Sequence, residues 1–437
     1  MHADAVSIPV DTASAALLAE RGLRMAVVDA ADQQAWHDWV AADARGFHDK
    51  APSGAFLEDL AGDVPLERAV GVYDETVAEP RIPVATVVSW PAALTVPGGG
   101  EVGSWAISGV TVSPTHRRRG IARAMLESEL RVAVAGGAPL AILTVSEATI
   151  YTRYGFGPAT WSTDFTIDAR RAGWVGAATP GRVQFVGRDG AMATARTLFE
   201  EARRGTVGDV EIVGHRFTRL FGLPSDPEEQ RKRRFVRYDD EDGTARGLVI
   251  YRLVEDPADF AGFTAEVLQL VATTDDAYRA LWRFVLDLDL VGTVKAWLRT
   301  VDEPLRWLVR DPRMIRTTEL REHLWVRVLD PVAALSARTY GGAGRLGLRI
   351  ADPLGHADGA FTIESDPSGR AVVTEGEPAE GPLLEVPIDA LGSLYLGGAS
   401  AVALAAAGRL RERAPSDAAV ADRLLRSPVP PALMTWF

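Results

Sequence analysis

The stretch VTVSPTHRRRGIARAML, from Val110 to Leu126, constrains the fold of this chain more than any other part of the sequence. A β-branched segment runs into three arginines and a glycine, and apolar residues at helical spacing follow as far as Gly136-Gly137. The next apolar segment, LAILTV from Leu140 to Val145, has the composition of a buried strand. The order strand, turn, helix, strand predicts one α/β layer with the arginines at the start of its helix.

Three arginines beside a glycine at the start of a helix suit an anion. The first N–H groups of a helix have no acceptor within the helix, and the helix dipole adds partial positive charge there. Arg117, Arg118 and Arg119 add cations, and Gly120 has no Cβ to keep a pyrophosphate away from the backbone. A solvated surface cluster is the alternative for any run of charge. The position between strand and helix favours the anion site.

The charge and composition of the whole chain exclude several classes of function. The chain has 47 basic and 59 acidic residues and a net charge of −12, which repels nucleic acid and favours a cationic substrate. It has no cysteine, and its seven histidines are not spaced as paired ligands on a helix, so we expect no metal. We find neither an apolar run long enough for a bilayer nor a signal-peptide pattern, and therefore expect no membrane association and a cytoplasmic location.

The length of 437 residues predicts about three domains. Residues 1–165 contain the layer described above. Residues 166–322 repeat its order in GLVIYRL, TAEVLQLV and DDAYRALWRFVLDLD without an arginine-glycine turn, which indicates a duplicated fold that has lost this turn. For residues 323–437 the pattern predicts a strand and helix, a hairpin pairing LGLRIADPLG with GAFTIES, a helical pair broken at Gly397-Gly398 and an aromatic end.

A short pattern in the turn leads to a family. Arg117, Gly120 and Ala122 fit the form Arg/Gln-x-x-Gly-x-Gly/Ala, which opens the cofactor helix of GCN5-related N-acetyltransferases and holds the pyrophosphate of acetyl-CoA. Together with VTVSPTHRRRG, three further stretches make the sequence similar to the Eis (enhanced intracellular survival) family of bacterial acetyltransferases: SEATIYTRYGFGPAT at 146–160, LGSLYLGGASAVALAAAGRL at 391–410 and the terminal Phe437. The resemblance spans nearly the whole chain and is weakest in its centre.

The resemblance implies a fold and an activity. The fold is α/β (α+β), with tandem GCN5-related acetyltransferase folds, the second degenerate, followed by a sterol-carrier-protein-like domain at 323–437. The activity is acetyl-CoA-dependent N-acetylation of cationic substrates such as aminoglycoside antibiotics, at more than one position, by a homohexamer. A protein-lysine or small-amine acetyltransferase is the alternative within the same class. A non-catalytic scaffold that binds acyl-CoA or lipid is the alternative from another class.

The resemblance also implies roles for individual residues. The expected cofactor contacts are Val110, Thr111, Val112, Arg117, Arg118, Arg119, Gly120, Ile121, Ala122, Arg123, Ser146 and Glu147. Tyr151 would be the general acid and the C-terminal carboxylate of Phe437 the general base, while Phe47 and Asp49 align with a substrate-contacting stretch. A tyrosine with a pKa near 10 suits a proton donor to a leaving thiolate better than a base. Without the resemblance, Tyr154 is an equal candidate.

Overall fold

The computed structural model describes residues 8–29, 31–60, 67–212, 214–259 and 261–437. The first seven residues, which include His2 and the start of the region searched for a signal peptide, lie outside these ranges. The described residues form two compact units. One unit holds the chain up to Ala159 together with Leu324–Pro428 and Phe437, and the other holds Thr160–His323 and Val429–Trp436.

The segment up to residue 159 builds most of a mixed sheet with helices on its faces. Its elements are α1 (Thr12–Ala19), β1 (Arg24–Val27), α2 (Gln33–Gly46), α3 (Gly54–Leu60), β2 (Arg68–Tyr73), β3 (Ala85–Thr95), β4 (Glu101–Val112), α4 (Ile121–Ala135), β5 (Leu140–Thr144), α5 (Ala148–Tyr151) and β6 (Gly157–Pro158). β4, α4 and β5 confirm the strand, helix and strand that the sequence predicts, and α4 ends at Gly136.

The core of this sheet lies on the side of α1 and α4. Trp105 of β4 and Leu126 of α4 are completely buried in it. Glu129 of α4 is also completely buried, and its carboxylate accepts hydrogen bonds from Arg68 Nη1 at 2.5 Å and from Ser89 Oγ at 2.6 Å. Because a buried carboxylate must be paired to be tolerated, these bonds fix the position of α4 on β2 and β3.

Helix α2 lies on the other face of the sheet. Val87 belongs to the core beside α4, and the partly buried Val112 packs against that core. Since side chains alternate along a strand, their neighbours Thr86 and Thr111 point to the opposite face, where both contact α2. The sheet is therefore covered on both faces.

The second unit contains the next helices and strands of the chain. They are β7 (Trp161–Asp168), α6 (Ala169–Ala172), β8 (Arg182–Val186), α7 (Arg188–Arg204), α8 (Gly214–Leu220), α9 (Pro227–Lys232), β9 (Arg233–Asp239), β10 (Ala245–Val254), β11 (Phe263–Ala272), α10 (Asp275–Leu286), β12 (Val291–Arg299) and β13 (Ile315–Glu322). Helix α10 follows β11 and precedes β12, which pairs with β11 in parallel, as α4 lies between the parallel strands β4 and β5. The duplicated order read from the sequence is thus present in the fold.

The rest of the chain belongs mainly to the first unit. Its elements are β14 (Leu324–Val328), α11 (Pro331–Ser336), β15 (Gly344–Ala351), β16 (Gly359–Ser365), β17 (Ala371–Glu375), β18 (Leu383–Pro387), α12 (Ile388–Tyr395), α13 (Ala401–Ala406), β19 (Arg411–Glu412) and α14 (Asp417–Leu425). The hairpin β15-β16 and the break between α12 and α13 at Gly397 agree with the sequence analysis. The buried Arg338 donates to the carbonyl oxygens of Tyr395 and Leu425 and so joins the ends of α12 and α14.

Each large sheet is completed by a strand from a distant part of the chain. The strand order in the first is β1-β2-β3-β4-β5-β14-β6, in the second β13-β7-β12-β11-β10-β9-β8, and in the third β17-β16-β15-β18-β19. β14 pairs antiparallel with β5, and β7 pairs antiparallel with β12. The predicted boundary at 165/166 thus falls within β7, and the one at 322/323 falls just before a strand of the first sheet. The two domain boundaries themselves stay a prediction.

Candidate functional site

The turn between β4 and α4 has an unusual backbone conformation. A short 3-10 helix, Pro114–His116, follows β4, and then Arg118 and Gly120 adopt positive φ values of 61° and 74°. Gly120 occupies the N-cap position of α4 and has no side chain with which to cap it. The N–H groups of the first helical turn, from Ile121 to Arg123, therefore point towards a surface that carries the exposed side chains of Arg117 and Arg118. This arrangement fits a pyrophosphate.

The third arginine of the turn has protein partners. Arg119 Nη1 lies 3.3 Å from Asp74 Oδ2, and Arg119 Nη2 donates to the carbonyl oxygen of Arg21 at 3.0 Å. Arg21 Nη1 donates in return to the carbonyl oxygen of Arg119. Arg119 thus helps to hold the turn, while Arg117 and Arg118 remain exposed. Arg123, the last arginine of the predicted set, is paired with Glu127 at 2.7 Å.

Asp74 organises the base of the turn. Hydrogen bonds from Thr76 hold the pKa of the Asp74 carboxyl well below its ordinary value, with further contributions from His116 and Arg119. His116 Nε2 lies 3.1 Å from Asp74 Oδ2, so the 3-10 helix and the arginine turn share one carboxylate. Asp74 therefore stays ionised and keeps its hold on Arg119 through the whole neutral range.

Strands β4 and β5 separate beside this turn. Their last parallel pair is Ala106 with Ile142, although β4 continues to Val112. Gly109, with φ 58°, and Val110 stand opposite a single residue of β3, which makes a β-bulge. The bulge bends β4 and leaves the edge of its terminal segment, which includes Val110 to Val112, without a partner in β5. An amide-rich ligand fits such an edge by adding to the sheet.

The opposite side of this opening carries the tyrosine candidates. Ser146 and Glu147 follow β5 and are exposed, and they lead into α5, which ends at Tyr151. Burial, with a smaller contribution from the neighbouring Glu147, raises the pKa of Tyr151 to about 12. Burial also raises the pKa of Tyr154, which lies near Arg123 and Glu127 of α4. Both hydroxyls are protonated at neutral pH, so burial does not decide between the two tyrosines as the acid.

The carboxyl end of Phe437 lies at the end of β5. Thr144 Oγ1 donates a hydrogen bond to the terminal carbonyl oxygen of Phe437. The phenyl ring packs edge-on against Trp90, with the ring centroids 5.6 Å apart. Thr144 lies seven residues before Tyr151 along the chain. The residue that the resemblance named as base is thus held at the end of the strand that precedes α5, and α5 ends at Tyr151, the residue named as acid; 286 positions separate the two in the sequence.

Phe47 and Asp49 lie just beyond α2, where the chain meets β4. Phe47 is the C-cap residue of the helix and is 46% exposed, and Asp49 is also exposed. The preceding Gly46 lies so close to β4 that a Cβ would stand 2.4 Å from Thr111 Cβ. Both predicted substrate contacts therefore lie at the surface next to the bulged end of β4.

The corresponding turn in the second unit is different. Thr274 caps α10 by accepting a hydrogen bond from the N–H of Ala277 at 3.2 Å. Asp275 and Asp276 occupy the first turn of that helix. These carboxylates oppose the binding of an anion at the start of α10. The equivalent turn of the first unit, before α4, carries arginines instead.

Sequence reasoning missed the groups that support the site from a distance. Arg21 and Asp74 both contact Arg119, but they lie 98 and 45 positions away from it in the sequence. Asp43, on the last turn of α2, lies beside the bulge of β4. No local motif marks these residues, because only the pairing of strands and the packing of helices brings them to the site.

Two further features are absent from the part of the chain that the structure describes. No group of three or more His, Asp or Glu side chains there is arranged to hold a metal ion. In the same part of the chain, no helix has the length and apolar character needed to span a membrane.

Family profiles match three consecutive parts of the chain. Residues 27–159 and residues 216–328 each match a profile described as an acetyltransferase (GNAT) domain. Residues 331–434 match a sterol carrier protein domain. The chain is therefore built from two GNAT domains followed by a sterol-carrier-protein-like domain, as expected.

Relatives extend over most of the chain. It is 36% identical to an uncharacterized N-acetyltransferase of Streptomyces avermitilis over 400 residues, which cover 89% of this chain and 93% of that protein. It is 33% identical to N-acetyltransferase Eis of Mycobacterium tuberculosis over 356 residues, which cover 80% of this chain and 84% of that protein. The crystal structure of Eis1 from Mycobacterium abscessus superimposes with a TM-score of 0.79 at 30% identity and covers 95% of this chain and 100% of that one. With the arginine turn, the split strands and two GNAT domains, the chain belongs to the Eis-like N-acetyltransferases.

Proposed function

We propose that this enzyme transfers acetyl groups from acetyl-CoA to amino groups of polycationic acceptors such as aminoglycosides, at more than one position. The observation that carries the proposal is the hydrogen bond from Thr144 to the terminal carbonyl oxygen of Phe437 at the end of β5, the strand that parts from β4 and leads to α5 and Tyr151. The net charge of −12 supports a cationic acceptor, because the protein attracts cations over a distance.

The cofactor side of the proposal rests on the turn and the strand edge. The N–H groups at the start of α4, with Arg117 and Arg118, bind the pyrophosphate of acetyl-CoA. Arg119 positions the turn through Asp74. The backbone from Val110 to Val112 binds the amide-bearing arm, and Ser146 and Glu147 line its other side.

The residues of this chain then move two protons. The carboxylate of Phe437 accepts a proton from the acceptor's ammonium group, directly or through a water, which leaves a neutral amine. Acetyl-CoA supplies an activated acetyl group: its C–S bond breaks as the new C–N bond forms. Tyr151 donates its phenolic proton to the departing sulfur and regains one from the acetylated nitrogen through solvent. The products are the acetamide and the CoA thiol, and one proton is released overall.

Release of CoA thiol from acetyl-CoA tests this proposal across aminoglycosides, diamines and lysine peptides. The protein has no cysteine and contributes no thiol background to the assay. Transfer of more than one acetyl group to each aminoglycoside supports the proposal. Turnover with lysine peptides alone favours the protein-lysine alternative. Tight binding of acetyl-CoA without turnover on any amine supports the scaffold alternative instead.

Two further properties belong to the same proposal. We propose that the protein assembles as a homohexamer, as the family resemblance implies, and that it acts in the cytoplasm, as the sequence analysis expects. Sizing in solution tests the assembly, and a monomer at micromolar concentration contradicts it.

A further inference from the structure

The chain turns sharply after Tyr151, the candidate acid. A 3-10 helix, Thr152–Tyr154, follows α5, and Gly155 then adopts φ 83°. The N–H of Phe156 donates to the carbonyl oxygen of Tyr151 at 3.4 Å. The two aromatic rings of these residues also pack edge-on, with their centroids 6.3 Å apart. A displacement of Gly155 therefore reaches Tyr151 through Phe156. We call residues 151–156 the tyrosine turn.

Arg327 of β14 lies directly against the tyrosine turn. A Cβ on Gly155 would stand 2.7 Å from Arg327 Nε and 2.9 Å from Arg327 Cζ, so no side chain fits between the turn and the guanidinium group. The chain then enters β6, where Gly157 pairs with Val326 of β14. β14 thus supports the tyrosine turn through a side chain as well as through strand pairing.

Asp352 fixes the position of this guanidinium group. Arg327 Nη2 lies 2.6 Å from Asp352 Oδ2. The Asp352 carboxylate also accepts hydrogen bonds from three N–H groups of the loop between β15 and β16, those of Leu354, His356 and Ala357. Burial opposes the ionisation of Asp352, but Arg327 and the N–H groups of the loop hold the pKa of its carboxyl below the ordinary value. The carboxylate therefore stays ionised and keeps its hold on Arg327.

This ion pair is a poor source of stability. The side chains of Arg327 and Asp352 are 0% and 1% exposed, and the cost of removing two charges from water offsets most of their attraction. Within the part of the chain that the structure describes, Arg327 Nε also has no hydrogen-bond acceptor, and it is this atom that lies against Gly155. The position that the pair gives to the tyrosine turn explains these two buried charges better than stability does.

We propose that Arg327 and Asp352 are positioning residues for the general acid. The loop between β15 and β16, in the sterol-carrier-protein-like region, thereby holds Tyr151 of the first GNAT domain in place through Arg327. The inference rests on the acetyltransferase reaction proposed above, with Tyr151 as the acid. Because proton donation to the departing sulfur requires a short distance, a small shift of the Tyr151 hydroxyl lowers kcat and leaves the binding of acetyl-CoA unchanged.

A double-mutant cycle with Tyr151→Phe tests the inference. Arg327→Lys keeps a positive charge beside Asp352 but removes the planar group that lies against Gly155. We expect Arg327→Lys to lower kcat about tenfold or more in the otherwise wild-type enzyme and by less than about twofold in the Tyr151→Phe background, at an unchanged Kd of acetyl-CoA. Equal losses in the two backgrounds, or no loss in either, overturn the inference and leave the ion pair with a structural role only.

Arg338→Lys is the matched control. Arg338 is also buried, and it donates to the carbonyl oxygens of Tyr395 and Leu425, away from the tyrosine turn. Its replacement should lower the melting temperature and leave kcat within about twofold of the wild type.

Gly155→Ala tests the same contact from the other side, even if Arg327→Lys does not fold. The new Cβ must displace the guanidinium group, so kcat should again fall only where Tyr151 is present. Gly137→Ala carries a similar strain, with φ 71°, but its Cβ meets no atom within 4 Å, and kcat should stay at the wild-type value.

Hydrogen exchange separates this inference from the proposed reaction, because it needs no substrate. Peptides spanning residues 148–156 should exchange faster in Arg327→Lys than in the wild type and at the wild-type rate in Arg338→Lys. If this difference is found but the wild type acetylates no amine, the hold of Arg327 on the turn stands and the proposed reaction fails. If the enzyme is active and Arg327→Lys changes neither exchange nor kcat, the reaction stands and the inference is refuted. Full turnover of Tyr151→Phe overturns the positioning role together with the acid.

Discussion

Replacing Gly120 with alanine tests the anion site at the start of α4. Gly120 has φ 74°, which an L-residue adopts only with strain. The new Cβ would also stand 2.2 Å from Nη1 of Arg21, so the Arg21 side chain must move and lose its hydrogen bond to the carbonyl oxygen of Arg119. Strain in the backbone and loss of a contact therefore act together.

The structure sets the size of both effects. The left-handed conformation costs about 1–2 kcal/mol for alanine, and an exposed hydrogen bond contributes about 1 kcal/mol or less, so the free energy of unfolding falls by roughly 1–3 kcal/mol. The methyl group also stands where the pyrophosphate must approach the backbone. We expect the Kd of acetyl-CoA to rise about tenfold or more, the equivalent of one charged hydrogen bond.

Gly137→Ala provides the matched control at the other end of the same helix. Gly137 has φ 71°, and a Cβ there would meet no atom within 4 Å. Thermal unfolding should show a loss of stability from backbone strain in both variants, and calorimetric titration with acetyl-CoA should show weaker binding only for Gly120→Ala. Equal affinity in the two variants would refute the assignment of this turn to the pyrophosphate.

Three further predictions concern the catalytic groups and a buried acid. Tyr151→Phe should lower kcat about 100-fold or more with the Kd of acetyl-CoA unchanged, and a larger loss in Tyr154→Phe would transfer the role of acid to that residue. One extra residue after Phe437 should lower kcat to a similar degree at an unchanged melting temperature, and full turnover would rule out the terminal carboxylate as base. Burial raises the pKa of Asp209 to about 7, so its contribution to stability is fully present below pH 4 and is lost as the pH rises through about 7. The free energy of unfolding of Asp209→Asn should therefore rise relative to that of the wild type between these pH values, by at most about 1.4 kcal/mol per pH unit. A constant difference across urea titrations at several pH values would show that the pKa of Asp209 is the same in the folded and the unfolded protein.

Local pattern explains the parts of the fold that the sequence predicts. VTV and LAILTV carry enough β-branched and apolar character to specify strands, and the spacing after Gly120 specifies an amphipathic helix that ends at Gly136. The hairpin β15-β16 and the break at Gly397 follow from turn residues in the same way. These features depend only on residues that are close together in the sequence. They can therefore be predicted from a single sequence.

The pairing of strands from distant parts of the chain did not follow from local pattern. β14 is a short apolar strand followed closely in the sequence by α11. In the fold, however, it pairs with β5 of the first sheet. β7 likewise joins β12 in the second sheet. The choice of partner depends on which sheet edge is open in the folded chain, and the periodicity of one strand carries no information about that edge.

The sequence alone determined the elements, the arginine turn and the family, because these depend on residue type at fixed spacing. The tertiary structure decided which charges at the site are exposed and which are paired. In the folded chain Arg119 pairs with Asp74, and Thr144 donates a hydrogen bond to the terminal carbonyl oxygen of Phe437. Asp43 lies against the bulge of β4 at Gly109. Each of these contacts joins residues at least 45 positions apart, and their positions relative to each other exist only after the strands have paired and the helices have packed on them.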